Sequence, residues 1–235
     1  MILRSLTKHV KDQNWFAVVI DFGIVVVGVF IGIQVANWND ERSEQRRDTA
    51  LLVRLQTDFE RIVEFGERIT PRVTAQPVST HKLINAIRSD AKFALDEDGT
   101  GSLISAVEAW APYDNSLAYQ EMTEAGTLSR ITNPELREAL NSYRRAMHAD
   151  NQLSRYQREL SSKGVIERAV QFNNPPSSLT REVVSFDWEA LKETEAHLQV
   201  VLNLQNLRST WSQRSLVSAQ RVLKLVNREL VSEAL

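Results

Sequence analysis

Two hydrophobic rhythms divide the chain. From Trp15 to Ala36 the sequence WFAVVIDFGIVVVGVFIGIQVA is apolar on every side, and only Asp21 and Gln34 are strongly polar. As a helix this stretch covers about 33 Å, enough to cross a hydrocarbon core of about 30 Å. Val25, Val26 and Val27 would weaken a helix in water, but lipid offers backbone amides no partner outside the segment, which forces helical bonding. Trp15 and Trp38 bracket the run at the two interfaces where indole rings prefer to sit. A secretory signal peptide fits less well, because the apolar run is too long and no A-x-A-like site follows it. Upstream, Ile2, Leu3, Leu6 and Val10 share one helical face while Arg4, Lys8 and Lys11 lie largely opposite, the pattern of a helix lying in the headgroup plane.

Beyond Ala36 the rhythm becomes amphipathic. Leu52, Leu55, Phe59, Ile62 and Ile69 recur at helical spacing, and no Pro or Gly falls between Gly32 and Gly66, so the span is expected to continue into a stalk of about 50 Å. Pro71 and Pro77 mark its turn. Further helices are expected over Ser79–Leu95, ended by the polar loop Asp96–Gly101, then over Ser102–Trp110 and over Ser116–Ala125 with Gly126 as a left-handed cap. Thr132 and Glu135 read as a capping box with Pro134 in the first turn, opening a helix that reaches Val170. A loop follows at Asn173–Ser178, then an extended segment from Arg181 to Phe186. Asp187 caps a final helical region striped by Leu204, Leu207, Trp211, Ala219, Val222, Val226 and Leu230. The predicted fold class is all-α, with one N-terminal transmembrane helix continuing into a helical-bundle soluble domain. Its segments are an interfacial stretch over 1–14, the span over 15–36 and the bundle over 37–235.

Charge and composition narrow this picture. Lys plus Arg number 28 against 30 Asp plus Glu, so no global field favours nucleic acid, and none is expected as a partner. The absence of Cys excludes disulfides, thiolate nucleophiles and zinc–thiolate sites. Within the span, Asp21, Val25, Gly28 and Gly32 fall on one face. A G-x-x-x-G pair lets two backbones approach closely, and a carboxyl in lipid normally faces a partner or water. These four residues are therefore candidates for a helix–helix contact, making a homo-oligomer or other membrane proteins the expected partners besides the bilayer. The alternative is that glycine is simply common in such helices and that Asp21 reaches the headgroups.

Asp21, Gly28, Gln34, then Asn37-Trp38-Asn39 with Glu41-Arg42, together resemble a large uncharacterised bacterial family of single-span membrane proteins. So does the downstream stretch Tyr119-Gln120-Glu121-Met122, Ala125-Gly126-Thr127-Leu128 and Asn133-Pro134-Glu135-Leu136-Arg137. Asp stands at 21 where Glu is more usual, and Ala36 where Asn is common. The resemblance implies a helical domain anchored in a bacterial inner membrane, and it implies no catalytic residues. Orientation is nearly balanced by charge, with Arg4, Lys8 and Lys11 before the span and Arg42, Arg46, Arg47 and Arg54 after it. The signal-anchor pattern puts the N-terminus in the cytoplasm and the 37–235 domain in the periplasm.

Candidate chemistry is sparse. Asp96, Asp98, Thr100 and Gly101 imitate the first half of an EF-hand, but Val107 occupies the twelfth position, so a calcium site is not expected. His9, His81, His148 and His197 have no zinc spacing. No nucleophile elbow, phosphate loop, dinucleotide fingerprint or H-E-x-x-H occurs, so neither a cofactor nor an enzymatic activity is expected. Arg144, Arg145, Arg155 and Arg158 make either a basic patch or a solvated helix face. Trp110, Tyr113 and Tyr119 are candidates for a ligand cleft between helices, and core packing accounts for them as well. Two functional classes follow: an interaction or assembly protein anchored in the envelope, or a ligand-sensing bundle acting through a partner.

Overall fold

A computed structural model describes residues 15–110, 116–173 and 181–233, without the side chains of residues 15–19, Asp21 and Glu233. The amphipathic segment expected over 1–14 lies outside the described residues. Helix α1, Trp15–Arg88, runs for 74 residues and contributes to two compact units, Met1–Ala50 and Leu51–Leu235.

In the first unit the large apolar side chains from Phe22 to Val35 are exposed, Phe22 at 69% and Val25 at 62%. Among the described residues this is one helix long and apolar enough to cross a membrane, with a mean hydropathy of 1.6 in its most apolar window and none of that window buried.

In the second unit α1 corrects the expected turn: Pro71 and Pro77 both lie inside the helix. Each proline removes a backbone donor and crowds the carbonyl four residues back, a cost of about 3 kcal/mol in an unsupported helix. Packing overrides it here, because Ile69 and Val73 near the prolines and Leu83, Ile84 and Ile87 beyond them are all buried. The separate helix expected over Ser79–Leu95 is therefore the end of α1, which stops at Arg88. Asp90 then takes a left-handed conformation, φ 51°, one that Asp tolerates through local hydrogen bonding. Its carboxylate accepts from Trp188 Nε1 at 3.0 Å and from Lys192 Nζ at 3.1 Å.

The acidic stretch expected as a loop opens α2, Glu97–Val107, so the helix begins earlier than the predicted Ser102. Asp96 accepts the Gly99 N–H at 2.9 Å, and Glu97 and Asp98 complement the positive end of the helix. Helix α3, Leu117–Glu124, is capped by Ser116 and followed by Gly126 at φ 68°, as its sequence predicts. Helix α4, Pro134–Ser162, starts from Asn133 rather than Thr132. Asn133 Oδ1 accepts from the N–H groups of Glu135 at 2.8 Å and Leu136 at 3.2 Å, which leaves the capping-box reading one residue early.

Helix α4 also ends short of the expected Val170. After Gly164, at φ 63°, come a 3-10 turn at Ile166–Arg168 and strand β1, Val170–Asn173. This strand pairs antiparallel with β2, Glu182–Phe186, with a bulge between Gln171 and Phe172. The extended segment at 181–186 thus has a strand partner lying between the expected helix end at Val170 and the expected loop from Asn173, and the fold is predominantly helical with one small ribbon. Most of the expected Asn173–Ser178 loop lies outside the described residues. Asp187 caps the short helix α5, Trp188–Lys192, by accepting the Ala190 N–H. Helix α6, Glu195–Glu233, then runs for 39 residues.

Two hydrophobic clusters hold this unit together. The first gathers Leu55, Phe59, Leu136, Leu140, Tyr143 and Val222 from α1, α4 and α6, with Phe59 and Tyr143 edge to face at 4.9 Å. The second gathers Leu83, Ile84, Leu103, Ile166, Leu191 and Leu198. Phe93 stacks on Phe186 at 5.0 Å beside it.

Candidate functional site

Between the two clusters the long helices turn polar. The inward residues are Thr70, Gln76 and Thr80 on α1, Asp150, Ser154 and Gln157 on α4, and Gln205, Arg208, Ser212 and Ser215 on α6, all buried. Their spacing along each helix is that of the apolar stripe they interrupt, so the fold itself aims them at one another.

Arg208 organises this layer. Its guanidinium and the Asp150 carboxylate are each 1% exposed, with Nε 3.6 Å from Oδ1. Arg208 Nη2 donates to the Trp110 carbonyl at 2.7 Å and Nη1 to Gln157 Oε1 at 3.2 Å. Gln157 and Gln76 both donate to the Glu108 carbonyl, at 2.9 and 2.8 Å. Ser154 joins at the Trp110 carbonyl, 3.2 Å away, and Gln205 donates to the Ser105 carbonyl at 2.7 Å. The layer therefore fastens the end of α2 and the segment after it, whose backbone carbonyls would otherwise be buried without donors. Burial pushes the Asp150 carboxyl up to about 6, against the opposing pull of Arg208. Burial likewise raises Glu108, opposed by Arg72 and Arg181. Among the described residues several buried oxygens here, Gln76 Oε1, Thr80 Oγ1, Gln205 Oε1 and Ser215 Oγ, accept or donate no hydrogen bond.

The aromatic candidates are not brought together by any described contact. Tyr119 packs in the first hydrophobic cluster at 5% exposure. Trp110 lies at the polar layer, its ring under the Arg72 guanidinium at 4.9 Å. Tyr113 lies outside the described residues.

In the membrane-candidate segment, Gly28 and Gly32 have nothing within 4 Å of where a side chain would begin, and Val25 beside them is exposed. Trp38 is exposed with the Arg42 guanidinium 5.6 Å from its ring. Trp15 and Asp21 belong to α1, with their side chains outside the described set.

A groove of about 580 Å³ opens between α4 and α6, lined by Ser142, Arg145 and Ala146 on one side and Trp211, Arg214 and Val217 on the other. Arg214 lies over the Trp211 ring at 4.8 Å, and Arg145 donates to Glu138 at 2.9 Å. Neither the polar layer nor this groove was predicted from sequence. Gln, Ser and Thr at core spacing, like Arg208 among Gln205, Ser212 and Ser215 on α6, read as ordinary helix surface until three helices are superposed.

Among the described residues the layer is buried and holds no acid–base pair beside a reachable substrate position. Among the described residues no group of three His, Asp or Glu is arranged to hold a metal ion. No family model matches the chain, and neither does any curated protein or solved structure.

Proposed function

We propose that this protein is a membrane-anchored interaction and assembly protein of a bacterial envelope, whose span self-associates through the face carrying Asp21, Val25, Gly28 and Gly32. The observation that carries the reading is the exposure of the apolar side chains from Phe22 to Val35. Such a surface is stable only against lipid or another helix. The open space at Gly28 and Gly32 supports close approach of a second helix, since each lost side chain brings two backbones nearer. The N-terminus is assigned to the cytoplasm and the residues after the span to the periplasm. The resemblance in the Asn37-Trp38-Asn39 region supports the bacterial placement.

Because the chain has no cysteine, single introduced thiols report the contact cleanly. The protein should resist carbonate extraction from membranes. Val25→Cys should form a disulfide dimer in the bilayer while Val26→Cys, on another face, does not. Adding Gly28→Ile with Gly32→Ile should remove the Val25→Cys cross-link. Recovery of the wild type in the aqueous fraction would overturn the anchor, and equal cross-linking at both positions would overturn the face.

A further inference from the structure

The outward side of α6 carries an exposed stripe that neither its fold nor the anchor accounts for. Stepping alternately three and four residues from Leu207 to Val231, the helix presents apolar Leu207, Val217 and Val231, exposed at 53%, 64% and 63%. Interleaved at the same spacing stand the cations Arg214, Arg221, Lys224 and Arg228, all exposed. No Asp or Glu occurs between Glu195 and Glu229, so the helix lacks the carboxylates that ordinarily pair such cations at i,i+4. Among the described residues none of these four makes an ion pair. Glu138 on α4 is already engaged by Arg145 and Ser142, and these contacts, with a smaller contribution from the Arg221 charge, hold it below its ordinary range.

We propose that this stripe and the adjoining α4–α6 groove dock an acidic amphipathic helix of a partner protein. Alternating steps of three and four are the seam geometry of paired helices, in which side chains of one helix fill holes in the other. The stripe extends about 36 Å along α6, far beyond a small molecule, while the groove beside it offers the Trp211 ring and Ala146 as an apolar floor. A second copy is the wrong occupant, because symmetric pairing in either direction sets cations against cations. Carboxylates of a partner meet them instead. The surface belongs wholly to the Leu51–Leu235 unit, so the proposal goes beyond the anchored reading and stands or falls separately from carbonate extraction.

The test uses the full chain in nonionic detergent with two labelled synthetic helical peptides that share a Leu stripe and differ in carrying Glu or Lys beside it. Fluorescence anisotropy should show binding of the Glu peptide alone, weakening as salt is raised. Arg214→Glu with Arg221→Glu should weaken it by about tenfold or more and create affinity for the Lys peptide. The neutral pair Arg214→Gln with Arg221→Gln should lose the first affinity without gaining the second. Equal binding of both peptides, or binding of the Glu peptide indifferent to these variants, overturns the proposal. So does tighter binding of double-stranded DNA or anionic vesicles with the same sensitivity, or a doubling of mass that the reversal abolishes.

Discussion

Asp150 shows how one buried carboxylate sets a pH dependence. Its carboxyl lies near 6 in the folded chain and near 3.9 in an unfolded one. Between those values the folded state holds a proton that the unfolded state has released, so stability contributed by this group is present at low pH and lost as pH rises through about 6. The ionised form costs up to about 3 kcal/mol at pH 7 relative to the protonated form. Asp150→Asn mimics the protonated side chain. Its urea midpoint should therefore gain on the wild type between pH 4 and pH 7, and parallel curves for the two proteins would contradict the assigned burial. Arg208 opposes that desolvation through its charge and its contact with the carboxylate.

At the scale of single elements, α2 offers a sharp contrast between two glycines two residues apart. A side chain at Gly99 would begin 2.2 Å from the Ala94 carbonyl oxygen and 2.7 Å from the Phe93 ring, whereas Gly101 has nothing within 4 Å. Gly99→Ala should destabilise by about 1–3 kcal/mol through forced displacement of backbone. Gly101→Ala should stabilise by about 0.5–1 kcal/mol by restricting the unfolded chain. Thermal melts of the two variants against wild type would show opposite shifts. Helix α2 also shows why element boundaries were hard to read: the same Asp-rich run serves equally as a polar loop or as a cap and first turn, and only the Asp96 to Gly99 bond decides. The Pro71 and Pro77 misreading has the same origin. Proline statistics describe an unsupported helix, and here the buried residues on both flanks hold the helix together. What was legible, the apolar run, Ser116 to Gly126, Pro134 in a first helical turn and the cap at Asp187, rests on local sequence signals. Strand β1 was not, because its identity depends on pairing with residues nine to sixteen positions away.

Across the Leu51–Leu235 unit, the layer around Arg208 separates two apolar clusters that would otherwise merge into one core. Its unbonded oxygens identify where stability has been left unused. Thr80→Val and Ser215→Ala remove buried hydroxyls that make no hydrogen bond among the described residues, and each should stabilise by about 1 kcal/mol. Denaturant melts of the two variants would check this. A loss comparable with that of Gln157→Leu, which breaks the bonds to Glu108 and Arg208, would show that those hydroxyls are satisfied in solution.

The pairing of Arg208 with Asp150 has a mechanical consequence for any event that reaches this unit. If α6 were to slide along α4 by one turn, about 5.4 Å, two ions now 3.6 Å apart would part inside a medium that cannot hydrate either. Apolar stripes alone accept such slippage, because one leucine substitutes for the next. Here the ions act as a detent, opposing piston travel of α6 along α4.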